Sequence, residues 1–138
     1  QRGFAWDVIQ MPLNPLDASY RSFEKQVLPE TFKRGIAVIS IKPIAGGALA
    51  HTKVMKPEES LRYCFSLPVS SVQCATDELA ILKKNLKLAA TFKPYHAGEM
   101  DLLRQKAKPV AGDGRFERYK STQEFDASSG QIAHGYIK

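Results

Sequence analysis

The sequence has no long hydrophobic run and few cysteines. No apolar stretch among its 138 residues approaches the roughly 18 needed to cross a bilayer, and the N-terminus lacks a basic start followed by an apolar stretch. A membrane span is therefore not expected. Cys64 and Cys74 match no metal motif in their spacing, so both are expected to be small buried hydrophobes. This cysteine content favours a cytoplasmic location by default and leaves export open.

Short motifs of the common enzyme classes are also missing. The chain contains no G-x-S-x-G elbow, no complete phosphate-binding P-loop and no G-x-G-x-x-G motif. Its three histidines, His51, His96 and His134, lie far apart, and none forms a ligand-like pair with Cys, Asp or Glu. A metal site is therefore not expected. Glu58 and Glu59 fit the first turn of a helix better than an acid/base pair.

Positive charge is in excess but is not gathered in one segment. The formal net charge of +6 would suit a polyanionic partner if the basic residues shared one surface. Lys83, Lys84 and Lys87 fall on one part of a predicted helix, and the other basic residues are spread along the chain. We interpret the three lysines as a solvated helix face, so nucleic acid is not the expected partner. The phosphate groups of a small cofactor would use the same positive field.

The sequence alternates between short apolar segments and helical periods. The predicted strands are Ala5–Gln10, Ile36–Ile41 and Val69–Cys74. Each is followed by a predicted helix, in turn over residues 20–34, from Pro57 to about 65, and over about 79–90. Such alternation predicts an α/β fold with parallel strands joined by right-handed crossovers.

The third predicted helix is amphipathic. Thr76 or Asp77 can cap it. Its apolar face, opposite the three lysines, consists of Leu79, Leu82, Leu86 and Ala89 or Ala90. After Thr91 the pattern weakens to a short helix over 99–106, and the residues beyond Pro109 form a polar tail. Because the tail contains Phe116, Tyr119, Phe125 and Tyr136, we expect it to lie against the body of the protein.

Four motifs in this order resemble the C-terminal half of an aldo-keto reductase. Asp7–Asn14, Gly35–Gly47 and Val69–Leu86 are similar to the last three strand-helix units of that family. The segment Phe116–Asp126, with His134 and Gly135, is similar to the C-terminal extension of one bacterial branch. The resemblance implies a partial (β/α)8 TIM barrel over residues 1–93, with an extended C-terminal tail over 94–138 packing on it.

The family reduces carbonyls or oxidises alcohols by hydride transfer with a nicotinamide cofactor, NADP or NAD. The resemblance implies that the other half-barrel, which carries the family's catalytic Asp, Tyr, Lys and His, is missing from the N-terminal side. No catalytic residue is therefore assigned here, and the chain alone is expected to be an inactive fragment of an oxidoreductase. Two alternatives stay open: a non-enzymatic half-barrel that self-associates or docks on a partner, and a nucleotide-binding module without catalysis.

The resemblance also assigns cofactor contacts on the first two units. Gln10 matches the family's Gln that hydrogen-bonds the carboxamide of nicotinamide, although a Gln here could equally tie down the following loop. Ile41 stands where an aromatic residue commonly stacks on nicotinamide, so its contact would be apolar packing. The loop after the second strand matches the pyrophosphate-binding loop, where glycines let backbone N–H groups approach phosphate oxygens; its assigned residues are Lys42, Ile44, Gly46 and Gly47.

The third unit is assigned to the adenosine end of the cofactor. Ala75, Thr76 and Asn85 align with the segment that holds the 2′-phosphate and the adenine. The basic residue that often grips the 2′-phosphate aligns here with Ala75 or Ile81. The choice between NADP and NAD therefore stays open.

Overall fold

The three predicted strands form one parallel sheet. The computed structural model of the chain describes residues 5–122 together with 132 and 135. The strands are β1 (Val8–Pro12), β2 (Ala37–Ile41) and β3 (Ser71–Val72), adjacent in that order. Gln10 lies opposite Ile39, and Ile39 lies opposite Ser71. The expected mixed α/β class with parallel strands is therefore confirmed.

Two helices lie in each connection between the strands, and three more follow the last strand. They are α1 (Phe23–Gln26), α2 (Leu28–Lys33), α3 (Ala48–His51), α4 (Pro57–Phe65), α5 (Leu79–Thr91), α6 (Ala97–Ala111) and α7 (Arg118–Ser121). Helix α4 begins at Pro57 as predicted, because proline has no N–H to leave unpaired there. The Glu59 carboxylate accepts the Lys56 backbone N–H at 2.8 Å, which closes the first turn.

Among the described residues, helices cover one face of the sheet. Met11 and Val38 are buried in the same apolar core as Leu49 on α3 and Cys64 on α4. Along β1 the alternate residues point the other way, and Val8 is 48% exposed. Gln10 is also exposed on that face, as is Ser71 on β3. The sheet thus has one buried face and one face open to solvent.

The C-terminal part of the described chain shares the core of the strands. Met100, Leu103 and Ala107 on α6 belong to the same buried cluster, and Phe116 packs against it. The expected contact of the tail with the body is therefore observed for Phe116 and also for Tyr119, whose ring centre lies 5.5 Å from the Lys42 ammonium. The tail residues Phe125, Asp126, His134 and Tyr136 fall outside the described part of the chain. No helix among the described residues is both long and apolar enough to cross a bilayer.

Four sequence-based assignments were wrong. Strand β1 covers Val8–Pro12 rather than Ala5–Gln10, because its pairing with β2 continues to Pro12 opposite Ile41. Strand β3 has two residues rather than the six of 69–74, because only Ser71 and Val72 pair with β2. Helix α6 runs to Ala111, past the predicted end at 106, and Pro109 lies inside its last turn. The turn Ala48–His51 was not predicted as a helix. Short elements depend on tertiary contacts more than on periodicity, so such errors are the expected ones.

Candidate functional site

A cleft of about 780 Å³ opens at the carboxyl ends of the three strands. It contains eight of the nine residues assigned to the cofactor: Gln10, Ile41, Lys42, Ile44, Gly46, Gly47, Ala75 and Asn85. The ninth, Thr76, lines an adjoining groove of about 450 Å³ between α4, β3 and α5, which shares Leu61, Cys74 and Asn85 with the cleft. Residues from three distant parts of the chain are brought together because parallel strands end at the same edge of a sheet.

Two glutamine side chains form one wall of the cleft. Gln10 Nε2 donates to Gln73 Oε1 at 3.3 Å, although their positions are 63 residues apart in the sequence. The Gln73 backbone N–H donates to the Ser40 carbonyl at 2.8 Å, which fixes the backbone just beyond β3. An amide group both donates and accepts hydrogen bonds. The two glutamines can therefore hydrogen-bond a ligand group that also donates and accepts, such as a carboxamide. Gln73 was not assigned to the site from the sequence. Its position directly after β3, at the edge where the cleft opens, could have indicated it.

The loop that follows β2 has an unusual backbone. Lys42 and Ala45 have φ values of 51° each, and Gly46 and Gly47 have values of 63° and 94°. This left-handed region costs a residue with a Cβ roughly 1–2 kcal/mol, so the surrounding structure must hold the loop. A Cβ added at Gly46 would meet nothing within 4 Å, whereas one at Gly47 would lie 3.4 Å from the His51 ring. The loop can therefore take a ligand close to its backbone at Gly46.

Neighbouring segments hold this loop through its carbonyl groups. The Leu13 backbone N–H donates to the Ile41 carbonyl at 3.1 Å. Asn14 Nδ2 donates to the Lys42 carbonyl at 3.3 Å. The buried Ser60 hydroxyl on α4 donates to the Pro43 carbonyl. Three successive carbonyls are thus tied down, which fixes the loop's orientation toward the cleft.

The opposite wall comes from α5 and the segment before it. Asn85 Nδ2 lies 3.7 Å from Cys74 Sγ. Burial raises the pKa of the Cys74 thiol, and the contact with Asn85 offsets part of that rise. Cys74 is only half-buried, whereas Cys64 is fully buried, so the expectation of two buried cysteines holds for Cys64 alone.

Four charged residues line the cleft, and their formal charges balance. Lys42 and Lys84 are positive, and Glu58 and Asp77 are negative. Lys84 is exposed, as expected for a solvated helix face, and it also lines the cleft, whereas Lys83 does not. The affinity of the cleft for a phosphate would therefore depend on where the individual lysines and backbone N–H groups lie, rather than on an overall positive charge of the cleft.

No group of three or more His, Cys, Asp or Glu side chains is placed to hold a metal ion within the described residues.

Comparison of the chain with protein-family profiles, curated proteins and solved structures gives no match. A functional conclusion therefore depends on the geometry of the cleft and on the resemblance of its motifs.

Proposed function

We propose that the chain is the C-terminal part of an aldo-keto reductase barrel and that its cleft binds NADP or NAD. The supporting observation is that eight residues assigned from three separate motifs lie in one cleft. That cleft opens at the carboxyl ends of adjacent parallel strands, where (β/α)8 barrel enzymes place their active sites.

The residues of the cleft fit a dinucleotide in extended form. The amides of Gln10 and Gln73 would bind the carboxamide of nicotinamide, and Ile41 would pack against its ring. The open backbone around Gly46 would take the pyrophosphate. Asn85 would contact the adenosine end on α5. When bound, the cofactor supplies the hydride, and these residues bind and orient it.

The open side of the sheet supports membership of a larger barrel. Val8, Gln10 and Ser71 are exposed on the face away from the helices. In the described residues β1 and β3 each pair on one side only. A closed barrel removes unpaired edges and fills the space inside its sheet with side chains. We therefore propose that further strands, with the family's catalytic Asp, Tyr, Lys and His, complete the sheet.

Fluorescence titration of the chain with NADPH and NADH tests the cofactor proposal. We expect at least one of them to bind with a Kd below about 1 mM, a modest affinity consistent with half of a site. Gln10→Ala and Gly46→Val should weaken binding, whereas Lys83→Gln, on the same helix as Asn85 but outside the cleft, should not. The chain alone should bind cofactor without reducing a carbonyl substrate. Absence of binding by both cofactors at millimolar concentration contradicts the proposal.

The open sheet also favours a second candidate, a non-enzymatic half-barrel that pairs with a second copy. Its unpaired β1 and β3 edges could each accept a strand of the other copy. Analytical ultracentrifugation separates the two candidates. A defined dimer that binds neither cofactor supports the half-barrel, and a cofactor-binding monomer contradicts it.

A further inference from the structure

A buried charged cluster ties α7 to the loop after β1. Lys120 Nζ lies 2.5 Å from Asp17 Oδ1 and 2.9 Å from Glu117 Oε2, and it donates to the Tyr20 carbonyl at 3.1 Å. The three charged side chains are at most 2% exposed. All three N–H groups of the ammonium have acceptors, so its burial is compensated by full hydrogen bonding.

Asn14 extends this cluster to the cleft loop. Its Oδ1 accepts the backbone N–H groups of Leu16 at 2.9 Å and Asp17 at 3.2 Å. Its Nδ2 donates to the Lys42 carbonyl at 3.3 Å and to Glu117 Oε1 at 3.5 Å. The side chain is completely buried and uses both of its N–H groups. Glu117 therefore acts on the backbone of Lys42 through one intervening amide.

Tyr119 lies near the side-chain ammonium of Lys42, whose backbone carbonyl is bound by Asn14. Its hydroxyl donates to Glu117 Oε1 at 2.6 Å, which fixes the ring. The Lys42 ammonium lies 5.5 Å from the centre of that ring, within the range of a cation–π contact. One short segment thus contacts both the ammonium of Lys42 and, through Asn14, its carbonyl.

We infer that Glu117 and Tyr119 are positioning residues that set the left-handed backbone of Lys42 and the direction of its ammonium in the cleft. The consequence for phosphate binding rests on the proposed function; the consequence for the loop does not. Lys42 contributes the positive charge at the start of the loop that would receive a pyrophosphate. The segment from 116 to 121, over 70 positions later in the sequence, would then determine the affinity of the cleft for a phosphate-bearing ligand.

Tyr119→Leu and Tyr119→Phe test the positioning of the loop. Amide hydrogen exchange is measured over Ile44–Gly47 and over α4 as an internal reference. Loss of the ring and of the hydroxyl in Tyr119→Leu should raise exchange of the loop roughly three- to tenfold and leave α4 unchanged. Tyr119→Phe keeps the ring and should have a smaller effect. Tyr95→Leu is the matched control, since that ring lies 3.8 Å from the Arg62 guanidinium instead of near Lys42.

Two results would overturn the inference. Unchanged exchange of the loop in both Tyr119 variants would show that the segment does not hold it. An equal rise in the loop and in α4 would show that Tyr119 supports only global stability. Circular dichroism identifies a variant that fails to fold, and the conservative Tyr119→Phe then decides the question.

NADPH affinity gives a second, separate readout. Tyr119→Leu should raise the Kd about three- to tenfold, as expected for a misplaced single cation, while Tyr95→Leu leaves it unchanged. If the parent chain binds no cofactor, the proposed function fails and the exchange experiment still decides the inference. Faster amide exchange in the loop with an unchanged Kd would show that the segment holds the loop but does not affect cofactor binding.

Discussion

Cys64 and Cys74 are the same residue type but differ in solvent exposure because of their positions in the fold. Cys64 is completely buried on α4, and its Sγ contacts the Leu13 carbonyl at 3.1 Å. Cys74 lies in the cleft beside Asn85. Burial raises the pKa of both thiols above the ordinary 9.0. Both are therefore neutral at pH 7, but only Cys74 can be reached by a reagent.

We expect iodoacetamide to modify Cys74 and leave Cys64 unmodified in the folded chain. Because the thiolate is the reactive species and the Cys74 pKa is raised, the rate should be low at pH 7 and should still be rising above pH 9. A saturating cofactor should slow the reaction. Peptide mass spectrometry measures each site. Equal modification of both cysteines, or a rate that is constant above pH 8, would contradict the assigned environments.

Lys84 illustrates a residue whose role depends on the cleft. Its sequence neighbours Lys83 and Lys87 make it look like part of a solvated face. In the structure it joins Ala75, Ile81 and Asn85 at one wall. Under the proposed function this wall would hold the adenosine end of the cofactor, and the basic residue that grips the 2′-phosphate in the resembled family aligns with the uncharged Ala75 or Ile81.

We predict that Lys84→Gln weakens binding of NADPH about three- to tenfold, as expected for loss of one screened contact with a phosphate. NADH, which lacks the 2′-phosphate, should be affected less. Lys83→Gln is the matched control on the same helix and should change neither Kd. Fluorescence titration of the parent chain and of both variants with each cofactor measures the six Kd values. An equal loss for both cofactors would show that Lys84 does not distinguish them.

Among the elements, α5 has an apolar face that its packing leaves largely exposed. Its leucines were predicted to share one face of the helix, and on that face Leu79 is 66% exposed and Leu86 is 60% exposed. The helix itself was predicted correctly because its period and length are clear. Periodicity identifies which residues share a face, but it does not say what covers that face.

We therefore expect Leu79→Lys to change the free energy of unfolding by less than about 0.5 kcal/mol, as for other exposed positions. Leu61→Ala, on the buried face of α4, should cost about 2–5 kcal/mol. Urea denaturation of the monomer measures both. A large loss in Leu79→Lys would show that the α5 stripe is covered in solution.

At the scale of the whole molecule, two buried polar networks join the two ends of the described chain. Arg104 on α6 binds the Glu24 carboxylate at 2.6 Å and the Tyr63 hydroxyl at 2.8 Å. Lys120 on α7 binds Asp17. Removing one partner of such a network leaves a buried charge uncompensated, so α6 and α7 are expected to fold together with the strands.

Tyr63 and Tyr119 predict a loss of stability at alkaline pH. Burial, and then the carboxylates of Glu24 and Glu117, raise the pKa values of Tyr63 and Tyr119 above the ordinary 10.0. Burial likewise raises the Cys64 pKa above 9.0. The unfolded chain loses these protons first, so the stabilisation from Cys64 is lost as the pH rises above about 8, and that from the tyrosines as it rises above about 9.

We expect the free energy of unfolding to fall by up to about 1.4 kcal/mol per pH unit above pH 10 for each of Tyr63 and Tyr119. Urea denaturation between pH 8 and 11.5 measures the decline, and Tyr119→Phe should make it shallower. Equal stability at pH 8 and pH 11 would contradict the assigned tyrosine environments.

The sequence by itself determined the class and order of the elements. Hydrophobic periods, prolines and glycines act locally, so three parallel strands, the start of α4 at Pro57 and the body of α5 could be predicted. Only the tertiary structure brought Gln73 to Gln10, Lys84 into the cleft and Glu117 to Asn14. These contacts join residues far apart in sequence, and no local spacing encodes a distance that exists only after the strands have paired.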